Sequence, residues 1–163
     1  DALQLYADEN NVEVYIEKEI IIPRLNVRSF IDAMVLKDGA LYDIKTCNDY
    51  KWQSIFGKYG KTDGIQNYMV QLGTYGLYFR ENGIKINKMA LLFYNKNNSR
   101  VKDVRVPRSY IDMAERYWLK VNESFKEGLP PIERGLAPVL DWECNKKYCS
   151  FFEACGGGIK GLD

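Results

Sequence analysis

Three charged side chains, Asp32, Asp43 and Lys45, stand in two stretches whose other residues are typical of β-strands. The stretches flank Asp38-Gly39, and Asp-Gly between two β-rich runs predicts a tight hairpin. In that hairpin position 32 lies roughly opposite position 43, so the two carboxylates become near neighbours. Residues 43 and 45 are two apart and leave the same face of their strand. The sequence therefore predicts two carboxylates and one ammonium group on one patch.

This patch has the composition of a metal-dependent hydrolytic site. Two buried carboxylates repel each other unless positive charge compensates them, and Lys45 compensates only one. A hard cation such as Mg²⁺ or Mn²⁺ binds carboxylate and carbonyl oxygens and activates water. We therefore expect a metal on Asp32, Asp43 and the Ile44 carbonyl, with the Ile44 side chain on the opposite, apolar face. Lys45 would orient or deprotonate the attacking water. A surface salt-bridge cluster is the alternative.

Composition excludes several other classes of function. The sequence has no histidine, which excludes His-dependent triads, His-ligated zinc and imidazole acid–base chemistry. Lys plus Arg is 23 and Asp plus Glu is 22, which excludes a generally basic binder but allows a local basic groove. No apolar run is long enough to span a bilayer, so we expect a soluble, cytoplasmic protein without a membrane partner.

The elements that would position the patch follow from hydrophobic periodicity. We expect an α/β fold in which helices flank a central mixed sheet. Residues 47–63 are polar with scattered glycines and predict a long loop. The predicted core is 1–127, followed by a Cys-containing tail, 128–163, packed on it. The predicted elements are a helix ending near 11, strands 12–22, 27–36 and 40–46, a helix 64–80, strands 86–94 and 100–106, and a helix 110–126.

Three short motifs occur in the order that a known family uses. They are Phe30-Ile31-Asp32-Ala33, Tyr42-Asp43-Ile44-Lys45-Thr46 and Gln71-Leu72-Gly73-Thr74-Tyr75. Together they resemble the PD-(D/E)xK nuclease superfamily, especially its RecB-like and Cas4-like exonuclease branch. The resemblance implies a restriction-endonuclease-like core and a catalytic set of Asp32, Asp43, Lys45, Gln71 and Tyr75. Residues 71 and 75 share one helical face, and the alternative is a core tyrosine beside a solvent-facing glutamine.

The resemblance also implies an activity. It implies a Mg²⁺- or Mn²⁺-dependent deoxyribonuclease, an exonuclease of phage or bacterial recombination and repair, with DNA and recombination or repair proteins as partners. The alternative is a nuclease-fold module that binds DNA or a partner protein without cutting. The family's further Glu or His ligand would lie upstream of Asp1. Within the sequence, Glu19 is the candidate substitute for that ligand.

Three of the four cysteines, Cys144, Cys149 and Cys155, cluster near the end of the sequence, while Cys47 stands alone. The resemblance implies that they are ligands of a [4Fe–4S] cluster whose fourth ligand lies upstream, because Cys149-x5-Cys155 matches the family's last spacing. Zn²⁺, a disulfide or free thiols are the alternatives, since three cysteines do not complete a four-ligand site.

Cations and aromatic residues alternate between the third strand and the following helix. Such a composition binds phosphates and stacks on unpaired bases, so it predicts a DNA-binding segment, although a solvated loop is the alternative. The residues concerned are Lys51, Trp52, Lys58, Tyr59 and Lys61.

Overall fold

A mixed sheet of five strands carries the candidate residues in the described part of the chain. Its strands are β1 (Val14–Ile22), β2 (Val27–Val35), β3 (Ala40–Cys47), β4 (Lys88–Asn95) and β5 (Val101–Arg105). They lie in the order β1-β2-β3-β4-β5. The β3–β4 pair is parallel and the other three pairs are antiparallel. The predicted α/β class with a central mixed sheet flanked by helices is confirmed, and it is consistent with a restriction-endonuclease-like core.

The structure is a computed structural model that describes residues 2–11, 13–35, 38–128, 146–150 and 152–153. It contains two compact units, Asp1–Glu115 and Arg116–Asp163, and the whole sheet belongs to the first. The boundary expected at 127/128 stays a prediction. No helix in the described residues is long and apolar enough to cross a membrane. The described helices are α1 (Ala2–Asn10), α2 (Asp49–Phe56), α3 (Gln66–Glu81) and α4 (Ser109–Lys126), with 3₁₀ turns at Pro23–Leu25 and Asp63–Ile65.

The predicted hairpin forms with the expected register. Gly39 adopts a φ of 59°, a conformation that favours glycine. A Cβ atom at this glycine would lie 2.6 Å from the Lys85 carbonyl oxygen, so the turn is also closely packed. Ala33 pairs with Tyr42, where the paired positions end, and the next residues along the two strands, Asp32 and Asp43, lie close enough to interact electrostatically.

The prediction of a loop over 47–63 is wrong for residues 49–56, because the chain forms helix α2 there, whereas residues 57–62 form neither helix nor strand. The Asn48 side chain caps this helix by accepting a hydrogen bond from the Lys51 backbone N–H at 2.9 Å. Trp52 and Ile55, three residues apart, are buried on one face. A polar composition therefore concealed a short amphipathic helix whose cap and apolar stripe are both visible in the sequence.

Helix α3 forms close to its predicted bounds and packs against α4 through a glycine. A Cβ atom at Gly73 would lie 2.2 Å from the Tyr110 carbonyl oxygen and 3.3 Å from the Ala114 Cβ. The absence of a side chain at this position thus allows the backbone at the start of α4, which belongs to the same compact unit, to approach α3 closely. Since α3 carries Gln71 and Tyr75, this packing fixes the helix that faces the candidate patch.

We expect Gly73→Ala to lower the free energy of unfolding by about 1–3 kcal/mol, because the new methyl group meets backbone that must move. This loss outweighs the roughly 1 kcal/mol by which alanine favours a helix over glycine. Urea denaturation measures the change. Gly64→Ala is the matched control, because its Cβ would meet only the Lys51 ammonium group at 3.6 Å. Equal stability of the Gly73 variant and the original chain would contradict this packing.

Candidate functional site

The carboxylate of Asp43 lies inside the sheet, with 1% of the residue exposed. Lys45 Nζ lies 2.8 Å from Asp43 Oδ2 and forms an ion pair with it. Neither carboxylate oxygen of Asp43 has a hydrogen-bond donor in favourable geometry among the described residues. A buried anion of this kind can accept a further positive partner.

Burial raises the pKa of the Asp43 carboxyl from its ordinary 3.8 to about 6. The Lys45 ammonium group opposes this change, and the negative charge of Asp32 adds to it. Desolvation therefore exceeds the stabilisation that one ammonium group provides. The carboxylate is held in an environment that disfavours its charged form.

Asp32 completes the pair of carboxylates at the point where β2 and β3 diverge. The paired positions end at Ala33 and Tyr42, although both strands continue. Beyond that point the half-buried Asp32 accepts a hydrogen bond at Oδ2 from the Ile44 backbone N–H, at 2.5 Å. A side-chain carboxylate thus satisfies an amide in place of the neighbouring strand.

The exposure of the Ile44 side chain differs from the prediction. It alternates with Asp43 and Lys45 along β3, as predicted, but it is 46% exposed, so the expected apolar burial is wrong. Thr46 and Tyr94, which are paired across β3 and β4, are exposed too. Alternation correctly gave the direction of the side chain, but burial depends on which elements cover that face.

Helix α3 brings Gln71 and Tyr75 to the patch. Lys45 Nζ donates a hydrogen bond to Gln71 Oε1 at 3.0 Å. Gln71 Nε2 in turn donates to the hydroxyl of Tyr75 at 2.6 Å, and Tyr75 is buried. The glutamine therefore faces the lysine, whereas Tyr75 is a core residue, as the alternative interpretation expects, and its hydroxyl fixes the glutamine amide.

One aromatic contact of Lys45 was missed at the sequence level. The ammonium nitrogen lies 4.9 Å from the ring centroid of Tyr68, one turn before Gln71 on α3. The spacing of positions 68, 71 and 75 on one helical face is a signal that could have found it.

Strand β1, which lies wholly within the described residues, places no further metal ligand beside Asp43. Glu19 forms an ion pair with Arg28 and lies opposite Phe30. Glu17 lies between two positions that pair with β2 but has no paired position itself, and its φ is 48°. Over the described residues, no three His, Cys, Asp or Glu side chains form a group able to hold a metal. The candidate ligands thus remain the two aspartates and the Ile44 carbonyl.

The five predicted DNA-binding residues divide into two sets. Lys51 Nζ donates to the Gly64 carbonyl oxygen at 3.1 Å, and the buried Trp52 packs on Phe56 with ring centroids 4.7 Å apart. These two side chains serve local packing, so Trp52 does not present its ring to a base. The exposed set is Lys58, Tyr59 and Lys61, joined by Tyr50 on α2, which the sequence analysis had overlooked.

The cysteine prediction can be followed only in part. Cys144 and Cys155 lie outside the described residues, whereas Cys149 is half-buried and has a free thiol. Cys47, at the end of β3, is buried and free, and its burial raises the pKa of the thiol. A metal centre shared by the three C-terminal cysteines stays a prediction.

The raised pKa of Asp43 predicts a specific pH dependence of stability. The folded state binds this proton more tightly than the unfolded state, so the contribution falls as pH rises from about 4 to about 6. Over that range we expect ionisation of Asp43 to lower the free energy of unfolding by roughly 3 kcal/mol. Urea denaturation with a chelator, at a series of pH values, should show that Asp43→Asn lacks this component. Asp103→Asn, at a half-exposed carboxylate, is the control. Parallel pH curves for Asp43→Asn and the original chain would contradict the burial cost.

The chain has distant similarity to solved structures. No family model matches the chain. No curated protein sequence matches it either. Among solved structures, the crystal structure of SSO0001 is similar over 94% of this chain, with 19% sequence identity and a TM-score of 0.43. The chain spans 64% of the length of that protein's chain. A resemblance this distant says nothing about activity.

Proposed function

We propose that this chain is a metal-dependent DNA exonuclease of the PD-(D/E)xK type, acting in the cytoplasm in phage or bacterial recombination or repair. One observation carries the proposal: the buried Asp43 carboxylate has no aligned donor and lies beside Asp32 and Lys45. Two hydrogen bonds support it further: Lys45 to Gln71 joins the second and third sequence motifs, and the Ile44 amide to Asp32 joins the second and first.

The donor set suits a hard divalent cation. Asp43 offers two oxygens without aligned donors among the described residues, and Asp32 is its cross-strand neighbour. With the Ile44 carbonyl these would hold Mg²⁺ or Mn²⁺, which accept few protein ligands and keep several waters. Such a cation, when bound, supplies positive charge to a phosphodiester and lowers the pKa of water.

The lysine has a separate role in the proposed reaction. The Lys45 ammonium group is mostly sheltered, since 19% of its side chain is exposed, and it points to the same patch as Asp43. A fixed positive charge in a poorly solvated site stabilises the negative charge that develops on phosphate oxygens. Gln71, itself held by Tyr75, fixes the direction of this charge.

The DNA strand would be held by the segment that follows β3. Lys58, Tyr59 and Lys61 are exposed after α2, and Tyr50 is 85% exposed at its start. Lysines that bind phosphates beside aromatic rings that stack on bases are typical of nucleic-acid surfaces. Lys51 and Trp52 would support this surface by fixing α2 rather than by touching DNA.

The three C-terminal cysteines are the proposed ligands of a second cofactor. A [4Fe–4S] cluster or Zn²⁺ would be ligated by Cys144, Cys149 and Cys155. Of these three residues the structure describes Cys149, whose thiol is free. Thiolates are the ligands that both kinds of centre prefer.

A second candidate function is a nuclease-fold module that binds DNA or a partner protein without cutting. The observation that favours it is the number of carboxylates, since the described residues bring together two acidic side chains at the patch and no group of three metal ligands. Cleavage assays separate the two candidates.

We expect Mn²⁺ to stabilise the folded chain at pH 7.5, because a ligand that binds only the folded state stabilises it by mass action. The gain should be about 2.7 kcal/mol at a hundredfold excess over the Kd. Thermal unfolding with and without Mn²⁺ measures it, and calorimetric titration gives the Kd. Asp43→Asn and Asp32→Asn should each lose most of this gain, whereas Asp103→Asn should retain it. Equal stabilisation of all variants would remove the metal site from this patch.

We expect Lys45→Ala to slow cleavage of end-labelled DNA by on the order of 10²-fold or more, the loss typical of one electrostatic stabiliser. DNA affinity should fall little, since one phosphate contact among several contributes modestly. The assay uses single- and double-stranded DNA with Mn²⁺, and binding is measured separately.

Lys88→Ala is the matched control for this experiment, because Lys88 also forms an ion pair and lies 5.1 Å from an aromatic centroid, that of Tyr42. Its rate should match the original chain. Binding of DNA without cutting by the original chain would favour the non-cutting module.

A further inference from the structure

Lys45 has three partners in the structure, and two of them come from one face of α3. Its ammonium nitrogen lies 2.8 Å from Asp43 Oδ2, 3.0 Å from Gln71 Oε1 and 4.9 Å from the ring centroid of Tyr68. Positions 68 and 71 are one helical turn apart, so their side chains reach the same region. The lysine is therefore shared between a strand carboxylate and two groups of a helix.

The two kinds of attraction differ in their effect on the site. A lysine side chain is a flexible stem with a compact charge, and a carboxylate alone would draw it into a closed ion pair. An aromatic face attracts an ammonium group through its quadrupole but offers no lone pair that competes for a proton. A ring on the α3 side thus keeps the charge between strand and helix without neutralising it.

Tyr68 is not an ordinary core residue of α3. It is half-buried, whereas its sequence neighbours Met69 and Val70 are buried. Its ring centroid lies 4.9 Å from the Lys45 ammonium nitrogen. This location suits a contact with the charge more than simple filling of apolar space.

We propose that Tyr68 is a positioning residue that holds the Lys45 ammonium group toward α3 through its ring. The consequence for cleavage rests on the proposed nuclease function, whereas the contact itself does not. The aromatic ring makes the contact with the ammonium group, and the hydroxyl group is not needed for it. Tyr68→Phe should therefore behave like the original chain, and Tyr68→Leu should not.

A double-mutant cycle for stability tests the contact without any assay of activity. Tyr68→Leu and Lys45→Met are combined, and urea denaturation gives the unfolding equilibrium constants. We expect a coupling of roughly 3- to 30-fold, the range of a partly desolvated cation–π contact. Tyr68→Phe should show no coupling with Lys45→Met beyond error. Tyr78→Leu is the matched control, a half-buried tyrosine on the same helix whose ring packs on Phe79.

A measurement on the original chain covers the case in which Tyr68→Leu fails to fold. The Hε protons of Lys45, assigned by comparison with Lys45→Arg, should show an upfield ring-current shift in the NMR spectrum that Tyr68→Phe retains. Unshifted Hε resonances, or a coupling no larger than that of Tyr78→Leu, would overturn the proposal.

The effect of Tyr68 on catalysis is tested in a separate cleavage assay. If the chain cleaves DNA, Tyr68→Leu should lower kcat by roughly 3- to 30-fold with an unchanged KM, and Tyr68→Phe should restore the rate. A lowered kcat that phenylalanine does not restore would overturn the role of the ring. Coupling in the stability cycle without cleavage by the original chain would support the contact and refute the nuclease function.

Discussion

The burial of the Asp43 carboxylate is the constraint on which this region depends. A carboxylate that is 1% exposed within a sheet is costly unless positive charge or donors compensate it. The chain supplies one ammonium group from Lys45, on the same strand, and places a second carboxylate, Asp32, alongside. Burial raises the pKa of Asp43 to about 6, since desolvation exceeds the opposing effect of Lys45, and the negative charge of Asp32 adds to the rise.

The surrounding fold gives this patch little freedom to relax. The turn at Gly39 is fixed by its positive φ and by close packing against the Lys85 carbonyl, which sets the register of β2 against β3. A slip of one residue would move Asp43 to the opposite face of the sheet. Where the strands diverge, Asp32 accepts the Ile44 amide, so the same side chain supports the backbone and contributes charge to the patch.

Local patterns in the sequence were enough to predict the hairpin, its register and the shared face of Asp43 and Lys45. They were not enough where tertiary cover decides the outcome. The exposure of Ile44 depends on which elements cover the outer face of β3, and the contact of Tyr68 with Lys45 joins a helix to a strand. Helix α2 was missed for another reason, because its polar composition outweighed its cap and its short apolar stripe.

The sharing of Lys45 explains why the ion pair does not neutralise Asp43. The ammonium group divides its interactions between the carboxylate, the Gln71 amide and the Tyr68 ring, and neither oxygen of Asp43 has an aligned donor among the described residues. A salt bridge selected for stability alone would align its donors with the carboxylate, or apolar residues would replace it. Departures from local stability of this kind concentrate at functional sites. The geometry therefore differs from that of a closed salt bridge, and this difference is what supports the proposed cation site.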